Sequence, residues 1–149
     1  MSITNHVLTG AIIAIAVKQP ALALPLAYLS HFVLDALPHF GYPERGFGPA
    51  LSHKLTYVYG FFNISALLVV LYVLRHRGIL PYVAGFAALS PDFLWPYRYF
   101  GFERYGKEPP AAGVITRFHQ KIQWCERPWG IAAEVVWFGT MFGLLYKVL

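Results

Sequence analysis

Apolar positions fall in five blocks, at 3–17, 21–37, 55–74, 79–95 and 131–148. A helix needs about 20 predominantly apolar residues to cross a bilayer. The third and fifth blocks meet that length. The other three reach across if their polar flanks sit among the headgroups. None carries the continuous polar face that a helix of a soluble bundle would turn to water. The pattern predicts an all-α, polytopic membrane helical bundle of about five transmembrane helices, folded as a single domain over 1–149. Pro20 and Pro25 fall at the start of the second helix, where proline is tolerated. Gly78 and Pro81 mark the turn into the fourth. The start, MSITNHVLTG, has no Lys or Arg, so the first block reads as a helix and not as a cleaved signal peptide. The connections 38–54 and 96–129 are rich in Gly, Pro, aromatic and charged residues, and their Tyr and Trp suit a membrane interface.

Composition sharpens this picture. Of the 149 residues, 57% are hydrophobic and only 13% charged, about half the charged share of a soluble domain. The same numbers exclude intrinsic disorder. Cys125 is alone, which excludes an intrachain disulfide and a cysteine-based zinc cluster. The formal net charge is +5. It does not imply nucleic-acid binding, because the basic residues sort with topology. Arg45, Lys54, Arg98, Arg104, Lys107, Arg117, Lys121 and Arg127 flank one side, and Lys18, Arg75, Arg77 and Lys147 the other. Eight against four places the first side in the cytoplasm.

The chain also matches itself at a shift of 60 residues. LAYLSHFVLDALPHFGY (26–42) aligns with FAALSPDFLWPYRYFGF (86–102), with identities at Ala27/Ala87, Leu29/Leu89, Ser30/Ser90, Leu34/Leu94, Phe40/Phe100 and Gly41/Gly101. This suggests two hairpin pseudo-repeats, about 3–42 and 63–102. If they run in the same sense, Asp92 lies at the depth of position 32, beside His31 and Asp35.

Five helices bring eight ionisable residues toward one side: His6, His31, Asp35, His39, His53, Asp92, His119 and Glu134. Of the six histidines, only His76 lies opposite. Ionisable groups inside membrane helices are costly and normally partnered, and a metal would be such a partner. In SHFVLDALPHF, His31 and Asp35 are four residues apart and share a helix face. Pro38 ends the helix, so His39 can turn back toward the same ion. Imidazole and carboxylate together suit zinc first, then manganese or iron.

TNHVLTG (4–10), SHFVLDALPH (30–39) and LSPDF (89–93) resemble motifs of a family of small bacterial and archaeal inner-membrane proteins, the membrane-bound metal-dependent hydrolases. The likeness covers most of the chain thinly. It implies His6, His31, Asp35 and Asp92 as site residues, in the inner membrane of a prokaryote. Two departures stand out. The Pro-Asp follows Ser-His-x-x-x-Asp instead of preceding it, and the usual His-Arg…Thr-His-Ser segment is absent. RFHQKI, with His119, is one candidate substitute, and LSHKL, with His53, is the other. The H-x-x-x-D-x-x-P-H run is also similar, over about nine residues, to the zinc-ligand stretch of zinc-dependent phospholipase C, where the spacing is one residue longer.

Val114, Ile115, Phe118, Ile122 and Trp124 recur at helical spacing, which predicts an interfacial amphipathic helix over 113–125. Arg117 and Lys121 would meet headgroup phosphates or an anionic substrate. Glu134 is read either as a general base or as an ion-pair partner of Arg127 or Lys121, and His53 with Lys54 as a headgroup contact. No Gly-rich phosphate loop, Gly-x-Ser-x-Gly elbow or His-Glu-x-x-His occurs.

The expected function is that of an integral membrane metal-dependent hydrolase acting through a metal-activated water on a lipid-like or lipid-linked phosphoester. His6, His31, Asp35, His39, Asp92 and His119 would hold metal, with Glu134 and Asp92 catalytic. The alternative is a non-enzymatic module, a metal-stabilised scaffold or an ion or proton pathway. Few polar residues besides Asn63, Ser65 and Thr140 line the first, third and fifth blocks, which counts against a pathway.

Overall fold

The computed structural model describes residues 1–42 and 47–148, apart from the side chain of Phe47. Arg45 lies outside the described residues. The described chain is helical throughout, as expected, with no strand beyond an isolated bridge between His39 and Glu126. Its helices are α1 (Ile3–Val17), α2 (Pro20–Asp35), α3 (Phe47–Leu51), α4 (Lys54–Val73), α5 (Leu80–Leu89), α6 (Leu94–Gly101), α7 (Val114–Ile122) and α8 (Ile131–Val148).

The local chemistry sets these boundaries. Ser2 caps α1 by accepting from the Asn5 N–H, and Lys18 ends it in a left-handed conformation with its N–H on the Ala14 carbonyl. Pro20 opens α2. That helix stops at Asp35, two residues short of the Leu37–Pro38 bond, as the clash before a proline requires. The fourth apolar block differs from expectation. It is not one continuous span to Trp95. The α-helix ends at Leu89, and a tighter turn over Ser90–Phe93 carries Pro91 and Asp92 before α6 begins. Pro91 has no N–H to continue the ladder.

Helix α1 is the centre of the fold, with every residue from Thr4 to Ala11 buried. It meets α2 and α5 through small residues: Ala14, Ala23, Ala27, Ala84 and Ala88 form one core cluster. A methyl group on Gly10 would lie 2.5 Å from the Ala84 carbonyl oxygen, and one on Gly85 would lie 2.9 Å from Val7. Such close approach of backbones is how helices pack where no apolar-against-water contrast drives them together. On its other side α1 packs against α4 and α8 through Leu8, Ala11, Val70, Leu74 and Leu145. Thr4 joins α1 to α4 by donating from N–H and hydroxyl to Asn63, and Trp137 donates to Thr9 from α8.

Two segments, Lys54–His76 and Pro128–Val148, are long and apolar enough to cross a membrane, and only 11% of each apolar window is buried. A core helix of a soluble protein would be mostly covered. Here Phe61, Phe62, Leu68, Val135 and Val136 are exposed. Helices α1 and α2 are apolar but shorter, at 15 and 16 residues, and α5 has 10. The described structure therefore has two helices of full spanning length, not five.

Candidate metal centre

Four elements converge on one point. The first turns of α1 bring His6, the last turn of α2 brings His31 and Asp35, the Ser90–Phe93 turn brings Asp92, and α7 brings His119. His6, His31, Asp35 and His119 are buried, and Asp92 keeps 24% of its side chain exposed. One ligand atom from each of His31, Asp35, Asp92 and His119 lies within 4.8 Å of all the others. This group could hold a metal ion.

Geometry supports that use. The His31 Nδ1–H donates to the Ala88 carbonyl at 2.8 Å. That bond fixes the tautomer and leaves the Nε2 lone pair pointing into the cluster, the arrangement that orients ligating histidines. Nε2 then lies 3.0 Å from His119 Nε2 and 3.3 Å from Asp35 Oδ2. Asp35 Oδ2 is 2.7 Å from His119 Nε2, and Asp92 Oδ1 is 3.7 and 3.8 Å from the two imidazoles. Neighbouring donor atoms bonded at about 2.0–2.1 Å to one tetrahedral or octahedral ion stand roughly 2.8–3.4 Å apart, so the observed spacings bracket what an ion needs. Two carboxylates and two imidazoles aimed at one point form an acceptor-rich pocket, and such a pocket suits a cation.

The protein supplies some donors itself. The Gln123 side-chain amide donates to Asp35 Oδ2 at 3.0 Å. The Met1 amino group donates to Asp35 Oδ1. Burial works against charge on that amine, but the carboxylates of Asp35, Asp92 and Glu134 outweigh it and hold the amine protonated above its usual range. His6 stacks on His31 with ring centroids 4.2 Å apart and places Nε2 3.0 Å from Asp35 Oδ1.

His39 does not turn back onto this cluster as expected. Its Nδ1–H donates to the Leu37 carbonyl at 2.7 Å, and Nε2 stands 3.4 Å from Glu126 Oε1 with no hydrogen-bond partner among the described residues. The reason is the backbone. The His39 N–H and C=O bond to Cys125 and Arg127, and Gly130 lies so close beneath that a methyl group there would overlap the His39 carbonyl. Glu134 is not in the group either. One of its oxygens accepts from the Phe40 N–H at 2.9 Å and the other from the Tyr59 hydroxyl. These partners differ from the Arg127 or Lys121 considered from the sequence. His53 stacks on Tyr42 at 3.8 Å, outside the cluster. Between the two candidate substitutes for the missing histidine segment, the structure brings in His119.

Gln123 and Glu126 carried no sequence signal strong enough to single them out. Gln123 follows His119 by four residues, one helical turn, and that spacing is the clue that was available. Beside the cluster lies a pocket of about 630 Å³. Asp92 and Gln123 reach it from the centre. His39 and Glu126 also line it, together with Arg98 and the rings of Tyr42, Phe93 and Trp95. Arg98 is held by Glu103 at 3.7 Å.

Fold and site together define an all-helical chain with two helices able to cross a membrane and a His/Asp cluster able to hold a metal ion. Comparison with protein families, curated proteins and solved structures found no match to this chain.

Proposed function

We propose that the protein is an integral membrane metal-dependent hydrolase acting on a lipid-like or lipid-linked phosphoester at the membrane interface. The observation that carries this reading is the placement of Asp92: it belongs to the buried His31/Asp35/His119 group and also lines the 630 Å³ pocket. A metal site opening onto a ligand-sized cavity is the arrangement of an active site. A divalent ion there, with zinc the best match to the ligands and manganese or iron next, would lower the pKa of a bound water and polarise a phosphoester oxygen.

The chain's own residues have definable parts in this reading. His31, Asp35, Asp92 and His119 bind, and the His31–Ala88 bond orients. Arg98 offers charge to an anionic group, and the aromatic wall accepts an apolar portion. Glu134 holds the Phe40 backbone, and through it the pocket wall, so it is a positioning residue and not a general base.

The membrane assignment rests on the exposed apolar faces of α4 and α8. In the five-helix arrangement α1, α2 and α5 sit within a bundle whose polar end faces the headgroups, with α7 at the interface. Val114, Ile115, Phe118 and Trp124 are exposed there beside Arg117 and Lys121. Charge asymmetry supports a cytoplasmic side for that end, in what the proposal takes to be a prokaryotic inner membrane. The motif resemblance points the same way.

The test is to screen the metal-loaded protein in detergent or vesicles against phospholipids and polyprenyl phosphates, wild type beside Asp92→Asn. Release of phosphate or alcohol that Asp92→Asn abolishes supports the proposal. Metal binding with no turnover of any phosphoester would overturn it in favour of a metal-stabilised scaffold.

A further inference from the structure

Each carboxylate of the cluster uses its two oxygens differently. Asp35 Oδ2 faces His31 and His119, at 3.3 and 2.7 Å. Asp35 Oδ1 faces His6, at 3.0 Å. Asp92 repeats the division, with Oδ1 toward His31 and His119, at 3.7 and 3.8 Å, and Oδ2 toward His6, at 3.9 Å. The ligand atoms therefore sort into two sets. One holds His31 Nε2, His119 Nε2, Asp35 Oδ2 and Asp92 Oδ1. The other holds His6 Nε2, Asp35 Oδ1 and Asp92 Oδ2. Both carboxylates span from one set to the other.

We infer that the centre is binuclear, with Asp35 and Asp92 bridging two divalent ions and His6 as the protein nitrogen ligand of the second. The inference rests on the metal-site reading above and extends it. Two carboxylates that each present one oxygen to each set are the bridges of a two-metal site, whose ions stand about 3.5–4 Å apart. The Asp35–imidazole spacings of 2.7–3.3 Å fit ligands around one ion, and Asp92, at 3.7–3.9 Å, would close on it by a small movement. Three protein ligands at the second position leave room for water or substrate, as an open catalytic position does. Charge favours the same count. Asp35 Oδ1 takes a cation even in the bare protein, where the Met1 amine occupies that place.

That amine is the specific rival: it would serve as the second cation in place of a metal. Two-metal sites of this kind clamp the attacking and leaving oxygens of an in-line displacement at phosphorus. A binuclear centre is therefore compatible with the phosphoester substrate of the reading above.

The test is metal stoichiometry after saturation with Mn²⁺ and removal of free ion, on wild type and His6→Phe. The phenyl ring keeps an aromatic face for the stack on His31 and removes both ring nitrogens, of which Nδ1 has no hydrogen-bond partner among the described residues. Two ions per wild-type chain and one per His6→Phe chain are expected. Low-temperature electron paramagnetic resonance of loaded wild type gives a second readout, needing no variant: an exchange-coupled manganese pair is expected. One ion per wild-type chain with an isolated six-line spectrum at saturation would overturn the binuclear assignment in favour of the amine, and leave the mononuclear site standing. No metal in either protein would overturn the metal reading itself.

Discussion

Replacing Glu134 with Gln separates the two roles that this residue can have. Its carboxylate is 4% exposed, and its oxygens are taken by the Phe40 N–H and the Tyr59 hydroxyl. Glutamine keeps the shape. Its carbonyl oxygen can still accept one of these bonds, but its amide opposes the other donor and the charge assistance is gone. Hydrogen bonds to charged groups contribute about 1.5–3 kcal/mol each, and one is lost, so a destabilisation of roughly that size is expected. For a chain of this length it corresponds to a melting temperature lowered by about 3–12 °C. The assay is thermal unfolding of the detergent-solubilised protein, followed by circular dichroism, beside metal content by elemental analysis. Metal content should be unchanged, because no cluster atom is touched, and turnover measured below the transition should survive. Unchanged thermal stability with abolished turnover would refute the positioning role and restore Glu134 as a base.

Chelation should lower the melting temperature of metal-loaded protein, since an ion bound to the native state stabilises it by mass action, about 2.7 kcal/mol at a hundred times its dissociation constant; an identical transition with and without chelator would contradict a metal in the native fold. Gly130→Ala should destabilise by about 1–3 kcal/mol, the ordinary cost of overpacking, because the added methyl meets the His39 backbone at 2.2 Å and backbone cannot rotate aside; denaturant or thermal unfolding reads it. Ala88→Gly should weaken metal binding far less than His31→Phe, because the Ala88 carbonyl that holds the His31 ring remains; metal titration of the two variants checks this.

Much of the centre was legible because ionisable residues are conspicuous in so apolar a chain. His6, Asp35, Asp92 and His119 stood out as ionisable groups in or beside apolar blocks, and helical spacing joined His31 to Asp35. Sorting the ionisable residues by side brought those of the first block, the second and the end of the fourth toward one face. What could not be read was anything set by tertiary backbone contact. His39 is one turn from Asp35 in sequence, but its own N–H and C=O are held by the strand-like 125–127 segment, and Gly130 lets that segment come close. No local pattern encodes that pairing. From sequence Glu134 reads as a base or as a partner of Arg127 or Lys121, whereas its partners, Phe40 and Tyr59, lie far away in sequence. The continuity of the fourth block was overestimated because hydropathy does not register the lost N–H of Pro91, which lets the helix tighten and aims Asp92 at the centre.

The claim that this is a metal protein is tested most directly by elemental analysis of the purified wild type beside His31→Ala and Asp35→Ala. The account predicts divalent metal in the wild type, most of it lost in both variants while their helical content is retained. Equal, near-zero metal in all three after exposure to Zn²⁺ and Mn²⁺ would contradict it.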